Sequence, residues 1–199
     1  MENYEQLIQG LQNFDENLFL TLNACRNAFF DFILPLFTNK KFWIPLYLVA
    51  LIYAIKNYRG KLLLVLLLAV FAAVGLSDFV SVNLFKNVFE RLRPCHVERI
   101  RSVQFLHNNH CGGWYGFVSS HASNHMALAM VLPMLFSKLK QQRKQLSLLF
   151  VFWAILIAYS RVYVGVHYPF DVIVGALLGA SIGLGCRAVM LFATHKLSS

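Results

Sequence analysis

Residues 62–85 read LLLVLLLAVFAAVGLSDFVSVNLF, bounded by Lys61 and Lys86. As a helix rising about 1.5 Å per residue, this run crosses a hydrocarbon core of about 30 Å, with one acid, Asp78, inside it. A soluble domain has little use for so long a largely apolar run, so this stretch sets the class of what surrounds it. Phe42–Ile55 is unbroken, and its flanking Lys40, Lys41 and Lys56 can snorkel to water. Residues 122–137, which contain Pro133, then Leu146–Ser160 and Phe170–Ala193 complete the set. In the last, Gly175, Gly179 and Gly183 form a small-residue stripe that suits the close approach of another helix.

Composition agrees. Of 199 residues, 58% are apolar and 14% charged, and the mean hydropathy is +0.56. Soluble domains run nearer a quarter charged. A disordered chain, a collagen-like fibre and a disulfide scaffold are excluded. The net charge of +9 does not point to nucleic acid, because the cations stand in short runs between apolar segments. The expected fold is an all-α integral membrane helical bundle with five to six transmembrane helices and an N-terminal interfacial helix. It forms a single domain over 1–199, with an N-terminal interfacial or first-helix region at 1–38 and a catalytic core bundle at 39–193.

Residues 1–16 carry Leu7, Ile8, Leu11 and Phe14 at helical spacing, the pattern of a helix lying on the membrane surface. Residues 17–38 are interrupted by Asn23, Arg26, Asn27 and Asp31, and read either as an imperfect span or as two half-buried pieces. The N-terminus lacks the basic start and short apolar core of a signal peptide, so the first membrane helix is expected to direct targeting. Lys56, Arg59 and Lys61 crowd one connection, Lys138, Lys140, Arg143 and Lys144 another, and Lys196 follows the last helix. The positive-inside rule makes that side cytoplasmic and puts the 86–121 loop and the 161–168 turn outside; Lys40 and Lys41 run against the rule. Cys95 and Cys111 lie in that outer loop. A bridge, adding about 3 kcal/mol in the chain-entropy account, and two separate surface thiols fit equally. Cys25 and Cys186 read as packing residues.

Three clusters then fall on one membrane face. Lys86 to Pro94 holds Lys86 and Arg93, which taken alone could be snorkelling cations. Ser119, Ser120 and His121 open the 122–137 helix, where serines cap and free amides favour an anion. Arg161, His167 and Asp171 surround the start of the last helix. Asp171 stands four residues after His167, so its carboxylate can reach the ring, fix its tautomer and leave the other nitrogen as nucleophile or base. Lys86, Arg93 and Arg161 have only Glu90 and Asp171 as nearby carboxylates in sequence. Such uncompensated cations call for a multiply charged anion such as a phosphoryl group. Two histidines divide the remaining work, one attacking phosphorus and one protonating the leaving oxygen.

The joint pattern Lys-x6-Arg-Pro, Ser-x-His and Ser-Arg-x5-His-x3-Asp resembles the signature of the type 2 phosphatidic acid phosphatase family, which shares its core with vanadium-dependent haloperoxidases. The likeness covers about residues 40–193. It implies that Lys86, Arg93 and Arg161 hold the phosphate with Ser119 and the backbone at Ser120 and His121. It further implies that His167 is the nucleophile, Asp171 its orienting partner and His121 the general acid. No metal and no cofactor are implied. His121 and His125 share a helix face at zinc-compatible spacing, but a third ligand is missing and the neighbouring cations repel a metal. The family's second motif usually reads Pro-Ser-Gly-His; here Val118 replaces Pro and Ser120 replaces Gly.

The expected function is metal-independent hydrolysis of a lipid phosphate through phosphohistidine. Undecaprenyl diphosphate, phosphatidylglycerol phosphate, phosphatidate and lipid A phosphate are the candidate substrates. A non-catalytic lipid-phosphate binder or transporter and a vanadate-dependent peroxidase are the alternatives. Membrane lipids and the substrate are the expected partners, with no nucleic acid and no obligate protein partner. The expected place is a bacterial inner membrane, with the site facing the periplasm. Arg99 and Arg101 are expected near a sugar or second phosphate, Trp43 and Trp114 at the interface, and Asp78 beside Arg26 or a polar group of a neighbouring helix.

Overall fold

A computed structural model describes residues 2–136 and 143–198; Lys138, Lys140 and the end of the expected 122–137 span lie outside the described residues. Of the described residues, 83% are helical and none forms a strand. The helices are α1 (Glu2–Ala24), α2 (Ala28–Thr38), α3 (Ile44–Asn57), α4 (Gly60–Val80), α5 (Asn87–Phe89), α6 (Glu98–Arg101), α7 (Ser120–Leu135), α8 (Arg143–Tyr163) and α9 (Pro169–Ser198). Among the described residues, three stretches are long and apolar enough to cross a membrane: Gly60–Phe89, Lys144–Tyr163 and Pro169–Lys196.

α7 is the centre. Ala122, Ala127, Val131, Leu132 and Leu135 are buried on every side of it, as expected of a helix that is apolar all round. α4, α8 and α9 surround it. Their outer faces expose Leu64, Leu68, Phe71, Leu148, Phe152, Leu177 and Leu184, a surface made for lipid rather than water. The glycine stripe explains the tightest contact. A Cβ at Gly175 would stand 2.7 Å from the Ser119 carbonyl oxygen, one at Gly183 2.6 Å from that of Ala127, and one at Gly179 would strike that of Ser123. The α7 and α9 backbones therefore touch directly.

The 17–38 region resolves into two helices. α1 continues to Ala24, the chain breaks at Cys25–Asn27, and Asn27 caps α2 by accepting the Phe30 N–H at 2.9 Å. The break is stitched to the bundle by buried Asn23, whose amide donates to the Tyr163 and Phe105 carbonyls at 3.0 and 3.1 Å and accepts the Phe105 N–H at 2.7 Å. Cys25 is exposed at this corner rather than packed. Arg26 lies over the Phe105 and Tyr163 rings and pairs with Asp31, so Asp78 is left to Asn124 on α7, which donates to it at 3.1 Å.

The run expected as one straight helix to Phe85 is not straight. α4 passes into a π-helical turn at Ser81–Lys86 before α5. The wider turn re-aims Lys86, a common use of such bulges. Glu90 follows in the left-handed region (φ 45°) and turns the chain back across the end of the bundle. There Arg91–Arg93 lies antiparallel to Trp114–Gly116, with Gly116 N–H donating to the Arg91 carbonyl at 2.8 Å and Arg93 N–H to that of Trp114 at 3.1 Å. Cys95 and Cys111 are disulfide-bonded, with Cα atoms 5.9 Å apart, and close the loop behind this pairing.

Candidate active site

Every residue singled out for phosphate chemistry lies at the same end of the bundle, supplied by four parts of the chain. Lys86 comes from the π turn, Arg93 from the disulfide loop, Ser119, Ser120 and His121 from the start of α7, and Arg161, His167 and Asp171 from the α8–α9 corner. Lys86, Arg93 and Arg161 are close enough for their charges to repel one another, and all three act on His167. His121 stands in the field of Arg161 and His167. Such a cluster of like charges favours a bound anion.

His167 is 1% exposed, and its Nδ1 faces Asp171 Oδ2 at 3.4 Å. Burial first, then the charges of Arg93, Arg161 and Lys86, hold its pKa well below the ordinary histidine value. Both effects favour the neutral ring, with Nδ1 turned to Asp171. Asp171 has no exposed surface, and its Oδ2 also accepts the Tyr168 N–H at 3.0 Å. Pro169 begins α9 and places Asp171 in the first helical turn.

The groups expected to hold phosphate are fixed by neighbours. Arg93 Nε and Nη1 donate at 3.3 Å to the carbonyls of Tyr115 and Cys111, which fix its plane. Arg161 Nη1 donates to the Thr38 hydroxyl at the end of α2, while its Nε is buried without a hydrogen-bond partner. Ser119 caps α7 by accepting the Ala122 N–H at 3.4 Å, and its own N–H donates to the Asp171 carbonyl at 2.9 Å. Lys86 Nζ donates to the Ser120 hydroxyl at 2.8 Å, so the side chain that replaces the family's glycine holds the lysine.

Several expectations need correction. Glu90 is exposed and counters none of the clustered cations. The carboxylates that do meet an arginine there are Asp171 and Asp15, both bound by Arg91: Nη1 donates to Asp171 Oδ1 at 2.9 Å and Nη2 to Asp15 Oδ2 at 2.7 Å. Arg91 and Asp15 were missed by sequence reasoning. The available signal was period two: in an extended 91–93 segment, Arg91 points to the same side as Arg93. Arg99 pairs with Glu16 instead of waiting for a sugar. Trp43 packs on Phe37 and Trp153, whereas Trp114 is exposed and stacked on His96. His125 uses both ring nitrogens, Nδ1 on the His121 carbonyl at 2.8 Å and Nε2 on the Tyr47 hydroxyl at 3.3 Å, so neither is left for zinc. Cys95, His96 and Cys111 cluster at metal-like distances, but the disulfide occupies both sulfurs.

A cavity of about 480 Å³ leads away from this cluster. Its polar end is formed by Lys40, Asp78, Ser120 and His121, and it runs between α3, α4 and α7 past Leu67 and Val70 to Leu132 and Leu135.

Known proteins of similar sequence and shape complete the picture. A lipid A 4'-phosphatase of Bacteroides thetaiotaomicron is 32% identical over 97% of this chain and 82% of its own length. An undecaprenyl-diphosphatase of Sulfolobus acidocaldarius is 32% identical over 90% of this chain and 81% of its own. The crystal structure of a transmembrane PAP2 type phosphatidylglycerolphosphate phosphatase from Bacillus subtilis superimposes with a TM-score of 0.74 at 21% identity, covering 90% of this chain and 86% of that one. The PAP2 superfamily signature itself matches residues 61–194, which span α4 to α9 and hold all three motifs. With cations, histidines and aspartate gathered at one end of such a bundle, the chain belongs to the PAP2 superfamily.

Proposed function

We propose that this chain is a membrane-embedded lipid phosphatase that removes a phosphomonoester of the lipid A 4'-phosphate type. The observation that carries the reading is the join between two environments: His121 and Ser120, which belong to the three-cation, two-histidine cluster, also form the polar end of a cavity lined by leucine and valine. A lipid phosphate has this division, an anionic head on an apolar tail. The near full-length likeness to a lipid A 4'-phosphatase supports the choice of head. In this reading α3, α4, α7, α8 and α9 cross the membrane. α2, with 11 residues, enters without crossing, and α1 lies at the interface with Tyr4, Leu7, Leu11 and Phe14 exposed toward lipid. The site end faces the periplasm of a bacterial inner membrane, opposite Lys56, Arg59 and Lys61.

The chemistry needs no metal. Lys86, Arg93, Arg161 and the first amides of α7 bind the phosphoryl oxygens and take up charge as it develops. His167 Nε2 forms a bond to phosphorus while the bond from phosphorus to the leaving oxygen breaks. His121 gives that oxygen its proton, which the dianion beside it favours keeping until then. Asp171 stabilises the positive charge on the His167 ring. Water then attacks the phosphohistidine, its proton passes to His121, the phosphorus–nitrogen bond breaks and inorganic phosphate leaves.

Phosphate release from purified lipid A 4'-phosphate, phosphatidylglycerol phosphate, phosphatidate and undecaprenyl diphosphate tests this directly. The expected result is turnover of the lipid A monoester before the others and a loss of more than about 1,000-fold in His167→Ala. Preference for the diphosphate moves the substrate to the class of the Sulfolobus relative, and release that survives His167→Ala refutes the mechanism.

A further inference from the structure

Asp15 belongs to α1, far in sequence from the motifs and before residue 61, where the family match begins. Nevertheless it is completely buried. Oδ1 accepts the N–H of Phe170, the residue next to Asp171, at 2.9 Å, and Oδ2 accepts from Arg91 Nη2 at 2.7 Å. The other arm of the same guanidinium holds Asp171 Oδ1 at 2.9 Å, and its plane lies 4.2 Å over the Tyr168 ring. Asp171 Oδ2 in turn faces His167 Nδ1. Hydrogen bonds thus run without a gap from α1 to the reacting imidazole: Asp15, Arg91, Asp171, His167. Each oxygen of Asp15 is committed, and both carboxylates have no exposed surface, so the arrangement is built rather than incidental.

We propose that Asp15 and Arg91 are positioning residues for the histidine nucleophile, and that the seating of α1 against the α8–α9 corner sets the rate of phosphoryl transfer. Arg91 fixes which way the Asp171 carboxylate points, and Asp15 fixes Arg91. The groups around His167 differ in how they reach it. Arg93, Arg161 and Lys86 act on it through charge, whereas Asp171 faces its Nδ1, and Arg91 and Asp15 stand in line behind Asp171. Disturbing the second set leaves the anion site intact and misaims the nucleophile. Partners that orient a metal-bound imidazole commonly matter about 10- to 100-fold, and a similar range is expected for this one.

The inference rests on the phosphatase reading above, and the experiment separates the two. Steady-state phosphate release is measured in detergent micelles for the full chain, with inorganic phosphate as the inhibitor that reports the anion site. Asp15→Asn keeps the shape and one acceptor. It is expected to lower kcat about 10-fold, with KM and the phosphate inhibition constant within about twofold of the original. Arg91→Gln is expected to lower kcat about 100-fold, and the double variant to be no slower than Arg91→Gln alone, because Asp15 acts through Arg91. Glu16→Gln, which removes the neighbouring α1 pair with Arg99, keeps kcat. Unchanged kcat in Asp15→Asn overturns the proposal, as do multiplicative losses in the double variant. Loss of phosphate inhibition together with turnover assigns Asp15 to folding alone and overturns it as well. No phosphate release by the unaltered chain would instead count against the phosphatase reading.

Discussion

Gly116 has no room for a side chain. A Cβ there would stand 2.9 Å from Asp171 Oδ2, 3.2 Å from Arg93 Cγ and 3.6 Å from His167 Nδ1. Gly116→Ala is therefore expected to push the His167–Asp171 pair apart and lower kcat about 10- to 100-fold while the bundle stays folded. Phosphate release, read beside thermal unfolding in detergent, checks both halves. This residue also shows where sequence reading stops. Lys86, Arg93, His121, Arg161, His167 and Asp171 were legible because charged and imidazole groups beside apolar helices demand a reason. Gly116 acts by lacking atoms, Thr38 by offering one hydroxyl to Arg161, and Asp15 by meeting Arg91 across a long sequence separation. None of the three has a local signature. Ser120 lies between: its departure from the usual glycine was visible, but its hydrogen bond to Lys86 depends on the π turn that brings the lysine round.

Among the elements, the α7–α9 contact is the least forgiving. Gly179→Ala would place a methyl against the Ser123 carbonyl, on backbone that cannot move aside, and is expected to cost about 1–3 kcal/mol. Gly185, on the same helix, has nothing within 4 Å of its Cβ position, so Gly185→Ala should be neutral or slightly stabilising. Melting temperatures of the two variants in one detergent decide the comparison. The spacing of the stripe was readable in the sequence because helical period and residue size alone define it. The π turn was not, because one extra residue in a turn leaves hydropathy unchanged. Lys40 had looked like a breach of the charge rule. It lines the cavity together with His121.

For the molecule as a whole, hydropathy sufficed to announce a helical membrane bundle, since no water-soluble packing accommodates so many outward leucines and phenylalanines. Which end faces outward rests on the asymmetry of lysines and arginines, and one experiment decides it. Arg99 sits at the site end with its side chain 66% exposed. In a Cys25→Ser background, which removes the exposed native thiol, Arg99→Cys is expected to react with an impermeant thiol reagent in intact cells; labelling only after lysis reverses the orientation. The bridge between Cys95 and Cys111 bears on how such a protein is handled at the bench. Dithiothreitol added to protect it is expected to cut the tie behind Arg93, so the activity of a preparation kept in reductant belongs in a separate column from that of one kept in air.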